Sequence, residues 1–353
     1  MMKNSMFARR AQFCSIFLLA FVCAQVAQAK YKDDIVVLTN GDHITGEIKG
    51  LSRGELTFKA SYMAESVRLD WARVERLESK DQYQIVLTNG EIHTDSLQLV
   101  ANNSGIENFL IGTKQASLKV NQLDVIRIAP IEKSFLSQLT GAVDLGLSYS
   151  SGNHQYDVDL VANATYIRGR NSMSGRVDSL FSGQTNGSSS ARNQWTFNYQ
   201  RQVSPKWYVG GLFDALRSDQ QSLDRRVTIG GLVGRKLVQT ETTRISLFGG
   251  LAASREKYST ALSQPRDTNA DTFAGVDLLR YRFKTTSISS RFTIFPSLTT
   301  PGRTRMQTTS DVSFEIAHNL YWGFHLYENY DSKPPVRADK NDLGVSTSIG
   351  WKF

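Results

Sequence analysis

The chain has 353 residues, with 41 Lys and Arg against 33 Asp and Glu, and is long enough for more than one domain. Its two cysteines, Cys14 and Cys23, lie in the first 29 residues, so no disulfide framework or cysteine metal site is available beyond them. Without that segment 38 basic residues face 33 acidic ones, and a net charge of +5 indicates solubility and compatibility with acidic lipid headgroups. No later run of 18 apolar residues occurs, which excludes transmembrane helices but not transmembrane strands.

Residues 1–29 have the pattern of a secretory signal peptide. A basic start, with Lys3 and Arg9-Arg10, precedes an apolar run from Phe13 to Val22 and then the small-x-small motif Ala27-Gln28-Ala29. The short apolar run disfavours a membrane-anchoring helix. The absence of a small residue before Cys23 disfavours a lipoprotein. We therefore predict cleavage before Lys30.

The next hundred residues contain a tandem repeat. The segment from Val36 to Asp42 matches the segment from Ile85 to Glu91 at an offset of 49 residues, and Val67 to Val74 matches Leu118 to Val125 at an offset of 51. In each unit an Asn-Gly pair predicts a β-hairpin turn, because both central residues of a type I′ turn need positive φ. We predict two β-repeats, at residues 30–80 and 81–130.

The repeats resemble small SH3-like or Sm-like β-barrels. An Sm-like domain would imply RNA binding, which needs exposed aromatic side chains or basic loops. The aromatic residues are few, and several occupy positions suited to a core: Phe58, Tyr62, Trp71, Tyr83 and Phe109. We therefore expect a spacer or docking module in the periplasm, with an envelope protein or the cell-wall polymer as partner and no nucleic acid.

From residue 135 to residue 353 the pattern changes to long alternating strands. Trp195, Phe197 and Tyr199, for example, alternate with polar residues. Strands of about 9–11 tilted residues cross a bilayer, and these runs have that length. Twelve strands are predicted, beginning near Leu139, His154, Ser172, Arg192, Trp207, Leu223, Thr243, Asp271, Thr285, Thr304, Leu320 and Asn341.

Alternate connections between these strands differ in length. Short turns such as Ser204-Pro205-Lys206 alternate with longer loops such as Tyr258 to Ala270, and the first loop, near Ser151, is an exception. This asymmetry is typical of outer-membrane barrels, whose short turns are periplasmic and whose long loops are extracellular. A secreted β-sandwich or lipocalin-like barrel, with its polar face outward, is the alternative. The predicted fold class is all-β, with a twelve-stranded antiparallel transmembrane barrel after the two small repeats.

The last strand has an apolar face and ends with Trp351, Lys352 and Phe353. A bare apolar edge strand would recruit other chains, whereas a closed barrel has no free edge. Trp351 and Phe353 resemble the C-terminal signal by which the barrel-assembly machinery recognises its clients, which makes that machinery a predicted partner.

Several motifs resemble those of the salt-stress-induced outer-membrane protein family, whose barrels are of the DUF481 type. They are Gly152-Asn153-His154, the segment from Leu223 to Arg226 followed by Ile229-Gly230-Gly231, Arg255-Glu256-Lys257-Tyr258, and Tyr330 to Pro335 before Asp342. The resemblance covers about residues 135–353. It implies an outer-membrane barrel without an established activity, in contact with outer-membrane lipids and lipopolysaccharide.

If aromatic residues face lipid, charged residues point into the lumen. The predicted inward set is Asp144, Asp157, Asp159, Asp178, Arg176, Arg192, Arg226 and Arg244. Opposed charges on two walls can polarise a pore, or they can pair across a narrow lumen and close it. Twelve strands are compatible with both, although the absence of a long charged inward loop slightly favours the closed form.

An enzyme would need a nucleophile beside a base. The histidines are His43, His93, His154, His318 and His325, and the sequence has no Gly-x-Ser-x-Gly elbow, phosphate-binding loop or paired-histidine metal motif. We therefore expect no catalytic residues, metal or cofactor. The hypotheses are a structural or envelope-stress barrel with a docking module, a narrow channel for ions or small solutes, and an outer-membrane lipid hydrolase.

Overall fold

The structure is a computed structural model that describes residues 33–100, 108–113, 116–131, 135, 138–150, 155–184, 189–259, 267–282, 286–317, 319–335 and 338–353. The signal peptide, His154 and His318 lie outside these residues. Residues 33–353 form one compact unit that contains an N-terminal β-domain and a barrel. Within the described residues no helix is both long and apolar enough to span a bilayer.

The N-terminal domain is a single nine-stranded sheet. Its strands are β1 (Asp34–Leu38), β2 (His43–Ser52), β3 (Glu55–Lys59), β4 (Val67–Asp70), β5 (Val74–Leu87), β6 (Ile92–Val100), β7 (Asn108–Thr113), β8 (Ala116–Asn121) and β9 (Val125–Pro130). Short 3₁₀ helices at Trp71–Arg73 and Gln122–Asp124 precede β5 and β9. Gly41 and Gly90 have φ of 88° and 90°, but Asn40 and Asn89 do not have positive φ, so the turns form at the predicted Asn-Gly pairs without the predicted type I′ geometry.

The two repeats are joined through β5. Val36 of β1 pairs with Leu77 in the first half of β5, and Ile128 of β9 pairs with Ile85 in the second half. Strand β9 of the second repeat also pairs with β2 of the first, at Leu51. The predicted boundary between residues 80 and 81 therefore lies inside one continuous strand, and the repeats share one sheet.

A shared core holds the repeats together. Phe58, Trp71 and Tyr83 are fully buried, whereas Tyr62 is 75% exposed. The indole Nε1–H of Trp71 donates to the carbonyl of Gln122 at 3.0 Å, and the Gln122 amide donates back to the carbonyl of Trp71 at 2.7 Å. Trp71 and Gln122 begin the equivalent 3₁₀ helices of the two repeats, so the duplicated positions bind each other at the centre.

The second part is a closed barrel of twelve antiparallel strands, which confirms the predicted fold class. The strands are β10 (Leu139–Ser150), β11 (Gln155–Arg168), β12 (Asn171–Gln184), β13 (Ser190–Gln202), β14 (Trp207–Ser218), β15 (Leu223–Gln239), β16 (Thr243–Tyr258), β17 (Asp267–Arg282), β18 (Thr286–Pro296), β19 (Thr304–Ala317), β20 (Leu320–Asp331) and β21 (Asn341–Lys352). The largest difference from the predicted starts is at β17, which begins four residues before Asp271.

The barrel closes where the last strand meets the first. Val143 of β10 pairs with Trp351 of β21, and Gly141 exchanges two backbone hydrogen bonds with Phe353 at 3.0 and 3.1 Å. A Cβ at Gly141 would lie 2.6 Å from the Phe353 ring, so the aromatic terminus packs directly over this glycine. Trp351 and Phe353 point outward, with 51% and 54% of their surface exposed.

The outer face of the barrel is apolar. Trp195 and Phe197 are 55% and 46% exposed, and Ile229 and Leu251 are 61% and 63% exposed. Exposed apolar side chains in a continuous belt belong in lipid, not in water. We call the end that carries the short turns the proximal end and the end that carries the longer loops the distal end.

Candidate functional site inside and beneath the barrel

The N-terminal domain lies against the proximal end of the barrel. Its contacts reach the turn or strand end at each of the five proximal connections. They pair Arg127 with Ile167, Gly90 with Gln202 and Pro205, Gly54 with Glu241 and Thr242, Arg53 with Tyr281, and Arg68 with Glu315. Contacts spaced around the whole rim place the domain over the proximal mouth.

Two arginines of the N-terminal domain make polar contacts across this interface. Arg68 holds Glu315 with both guanidinium nitrogens, one of them at 3.1 Å, and also lies 3.5 Å from Glu55. Burial opposes the charge of Arg68, but the bonds to these carboxylates raise its pKa above the usual value. Arg127 donates to the carbonyl of Ile167 at 3.1 Å, and burial lowers its pKa to about 10.

The second Asn-Gly turn also lies directly against the rim. The carbonyl of Gly90 accepts a hydrogen bond of 2.6 Å from the side chain of Gln202. A Cβ at Gly90 would lie 1.8 Å from the carbonyl oxygen of Pro205. The φ angle of Gly90 is 90°. Glycine is required here both by the left-handed turn and by the rim beneath it.

Ion pairs cross the distal part of the lumen. Arg226 on β15 contacts Glu256 at 2.7 Å and Asp331 on β20 at 3.4 Å, and β15 and β20 lie five steps apart around the barrel. Arg303 turns in from the loop before β19 and contacts Glu256 at 2.8 Å and Asp331 at 2.5 Å. Each of these side chains is 5% exposed or less. The cluster joins opposite walls of the barrel.

A second set of pairs crosses nearer the middle. Arg176 on β12 donates to Asp311 on β19 at 2.7 Å and to its strand neighbour Asp178 at 2.8 Å. The strands β12 and β19 are again five steps apart. Between the distal cluster and the Arg176 pairs, the side chain of Gln307 on β19 donates to Asp214 on β14 at 3.4 Å. The strands β14 and β19 are also five steps apart.

His325 lies inside the barrel with the spacing of a Ser-His-Asp triad. Its Nε2 is 2.9 Å from Ser348 Oγ and its Nδ1 is 2.8 Å from Asp311. Asp144 stands 3.3 Å from the same hydroxyl and 3.5 Å from Nε2, which places two carboxylates on one imidazole. Ser348 and His325 are 4% and 8% exposed and face away from the lipid side. This arrangement favours a satisfied interior network over a nucleophile that a lipid can reach.

The remaining predicted inward residues have different surroundings. Asp159 binds the hydroxyl of Ser346, and Asp157 accepts from Ser148 at 2.8 Å. Arg192 is 5% exposed, stacks on the Tyr327 ring at 3.8 Å and lies 3.7 Å from Asp342. Arg244 is exposed near the proximal end of β16, so it is not part of the buried network.

An apolar cluster lies in the interior on the neighbouring strands β14 to β18. It comprises Tyr208, Leu232, Ala252, Phe273 and Phe295, with Leu212 and Phe248 packed against it. A Cβ at Gly234 would lie 2.1 Å from the Tyr208 ring and one at Gly250 would lie 2.9 Å from the Phe273 ring. Glycine on a neighbouring strand therefore lets each ring lie flat across the barrel interior.

One cavity of about 480 Å³ lies toward the distal end of the interior. Its lining includes Asp157, Asp159, Arg192, Tyr327 and Asp342. Of the eight predicted inward charges, Arg176, Asp178, Arg226 and Asp144 belong to or contact the buried clusters above, Asp157, Asp159 and Arg192 line this cavity, and Arg244 does neither.

Sequence reasoning missed most partners of those charges. Glu256, Arg303, Asp311 and Asp331 were not in the predicted inward set, although three of them lie at polar positions of alternating strands. Alternation can assign each strand residue to the inner face. Which residue it meets five strands away depends on the register of every strand between them. Arg303 comes from a loop, where alternation gives no signal.

Among the residues that the structure describes, no three His, Cys, Asp or Glu side chains are placed to hold a metal ion. Residues 143–353 match the family described as "Protein of unknown function, DUF481". The match covers more than half of the chain, and the chain belongs to this family. No curated protein matches it.

Solved outer-membrane structures share the barrel architecture. The translocator domain of the autotransporter NalP from Neisseria meningitidis is 12% identical, with 61% of this chain and 87% of that chain covered and a TM-score of 0.34. The NanC porin is 11% identical, with 61% and 98% covered and a TM-score of 0.37. A porin refined at 1.8 Å is 12% identical, with 77% and 98% covered and a TM-score of 0.29. At these values the similarities carry no information on activity.

Proposed function

We propose that this chain is a non-enzymatic outer-membrane barrel with a closed interior, which anchors its N-terminal domain at the periplasmic face of the membrane. The observation that carries this proposal is the double closure of the lumen. Buried ion pairs join opposite walls from the distal end to the middle, and the N-terminal domain contacts the rim at all five proximal connections. A barrel that is closed both inside its lumen and at its proximal mouth is suited to anchoring, not to transport.

Planar-bilayer recording tests this proposal. The purified protein should insert without discrete conductance steps, because an ion that passes through this lumen would have to lose its water and separate the buried ion pairs. A chain lacking residues 33–130 should also stay silent if the ion pairs alone close the barrel. Steps from the full-length protein that disappear when the lumen is blocked would contradict the proposal.

A narrow channel is the second candidate, and the distal cavity of about 480 Å³ favours it. In this version the ion pairs that cross the lumen separate transiently and the cavity is the outer vestibule. The Arg176→Met and Asp311→Leu double variant should then conduct more than the wild-type protein, whereas the anchoring proposal expects both to be silent.

The N-terminal domain supplies the proposed docking function. Leu123 is 51% exposed in the second 3₁₀ helix and Tyr62 is 75% exposed after β3, which leaves apolar surface for a periplasmic protein or cell-wall partner. Cross-linking in intact cells from a cysteine introduced beside each of these two positions tests this role. Adducts to envelope components should depend on the exposed side chain and vanish with Tyr62→Ser and Leu123→Ser.

Two further roles rest on motif resemblance. The outward aromatic residues Trp351 and Phe353 are proposed to bind the barrel-assembly machinery, and Phe353→Ala should slow membrane insertion in a reconstituted assembly assay. The motif between Tyr330 and Pro335 supports an envelope-stress role, for which expression of the chain should rise after a salt shift. Unchanged insertion or unchanged expression would remove the corresponding role.

A further inference from the structure

A small polar cavity lies where the N-terminal domain meets the proximal rim. It has a volume of about 230 Å³ and is lined by Asn89 of the Asn-Gly turn, by Lys206 in the turn before β14, and by Lys236, Leu237 and Gln239 at the end of β15. Both halves of the protein therefore contribute to one cavity.

The cavity has an excess of hydrogen-bond donors and positive charge. Lys236 donates to Gln202 at 2.9 Å, which uses one of the three ammonium hydrogens. Among the described residues neither Lys206 nor Lys236 is part of an ion pair. The Asn89 side chain is already engaged by Glu91, whose backbone N–H donates to its oxygen at 2.9 Å and whose carboxylate accepts from its NH₂ group, so the two lysines supply the free donors of the cavity. Two ammonium groups without a carboxylate indicate an anionic ligand.

One buried acceptor adds a second requirement. The side-chain oxygen of Gln239 is buried without a hydrogen-bond partner among the described residues. A buried acceptor left unpaired costs about 1–3 kcal/mol. A ligand that fits the cavity should therefore carry a hydroxyl or ammonium donor beside its negative charge.

The surroundings of the cavity are those of a membrane boundary. Trp207, the first residue of β14, is 45% exposed on the outer face, and the Arg235 guanidinium lies 5.5 Å from its ring centroid. Leu237, which lines the cavity, is 49% exposed. Tryptophan and arginine at the end of a transmembrane strand mark the level of the lipid headgroups.

We propose that this cavity binds a phosphate diester whose headgroup carries a hydrogen-bond donor, namely the headgroup of phosphatidylglycerol or phosphatidylethanolamine in the proximal leaflet. The phosphate lies between Lys206 and Lys236, and the headgroup hydroxyl or ammonium donates to Gln239. A lipid bound in this way contacts both the Asn-Gly turn and the rim, so it strengthens the attachment of the N-terminal domain. This inference rests on membrane insertion of the barrel, which the proposed function includes.

Native mass spectrometry of the full-length protein tests the site with three lipids and one soluble probe. Phosphatidylglycerol and phosphatidylethanolamine should bind more tightly than phosphatidylcholine, which has no donor for Gln239. The Lys206→Gln and Lys236→Gln double variant should bind the first two about thirtyfold more weakly, since each basic residue near a membrane surface contributes about fivefold. Lys333→Gln, which removes a distal lysine, is the matched control and should bind like the wild-type protein.

Equal lipid binding by the double variant and the wild-type protein would overturn the site. Equal binding of phosphatidylcholine would overturn the assignment of the headgroup. Glycerol phosphate that binds as tightly as the lipids would keep the phosphate site and make its source soluble. If the double variant does not fold, as judged by its heat-modifiable gel migration, Lys206→Gln alone serves, because Lys206 lies in an exposed turn. Conductance is recorded separately, so a failure of this site and a failure of the closed barrel are distinguishable.

Discussion

The N-terminal domain and the barrel differ in the number of charged side chains that they bury and in the side chains that they expose. The domain has a core of Phe58, Trp71, Tyr83 and surrounding aliphatic residues, and among its described residues Asp34 is the one charged side chain that is buried. The barrel buries Arg226, Glu256 and Asp331 and exposes Trp195 and Phe197. Both parts are antiparallel β-sheets with period-two alternation, so the difference lies in the surrounding medium, which is water for the domain and lipid for the barrel.

This comparison shows how one chain uses two kinds of stabilisation. In the domain, apolar burial stabilises the fold and a large-to-small substitution leaves a cavity. In the barrel, lipid already solvates the apolar face, so interior specificity comes from ion pairs whose loss leaves an unpaired buried charge. Four experiments test this division, ordered from the largest expected effect to the smallest.

Trp71→Ala should be the most destabilising change. Trp71 is fully buried and joins the two repeats through its bond to Gln122, so its removal should lower the free energy of unfolding of the domain by about 3–5 kcal/mol. Limited proteolysis and far-UV circular dichroism in urea measure the loss, while the barrel should keep its heat-modifiable gel migration. Tyr62→Ala is the control, and an equal effect from it would contradict the core assignment.

Arg176→Met should destabilise the barrel by about 3 kcal/mol, because Asp178 and Asp311 lose their guanidinium partner inside the lumen. The value is at the low end of the range for a broken buried pair, since His325 still contacts Asp311. Folding into lipid vesicles across a urea series measures it. Addition of Asp311→Leu should restore part of the loss; Lys257→Met, at a half-exposed surface pair, should change little.

Trp195→Lys tests the lipid-facing side. Trp195 lies near the middle of β13 and is 55% exposed, so a lysine there should cost about 2–4 kcal/mol in a bilayer. The same vesicle-folding assay measures the change. A spin label at position 197 should in addition be accessible to lipid-soluble quenchers, and shielding from them would mean that the outer face of the barrel is not in lipid.

The smallest effect is expected at the interface between the two parts. A double-mutant cycle of Arg68→Ala and Glu315→Ala should give a coupling of about 1–2 kcal/mol, because the pair is two-pronged and mostly buried. Protease release of the N-terminal domain from the folded barrel reports the coupling. Arg76→Ala and Glu78→Ala, an exposed pair within β5, should show coupling below about 0.5 kcal/mol.

Alternation made much of the barrel predictable. Strand starts at Leu139, Trp207, Leu223, Thr304 and Asn341 agree with the sequence, because each strand has one apolar and one polar face and ends at a turn. The faces of Trp195 and Phe197 follow from the same rule. The start of β17 was less clear, since the buried Asn269 and Asp271 continue the polar inward pattern beyond the lipid-facing residues.

The sequence by itself determined the duplicated N-terminal strands, the number of barrel strands and the side of each strand that faces lipid. These are local properties, set by side-chain periodicity, turn residues and the length of a bilayer crossing. Only the tertiary structure decided that the repeats share β5 and one core, that the domain contacts all five proximal connections, and which charges meet across the lumen. Those contacts depend on strand register and barrel closure, which bring together residues more than a hundred positions apart.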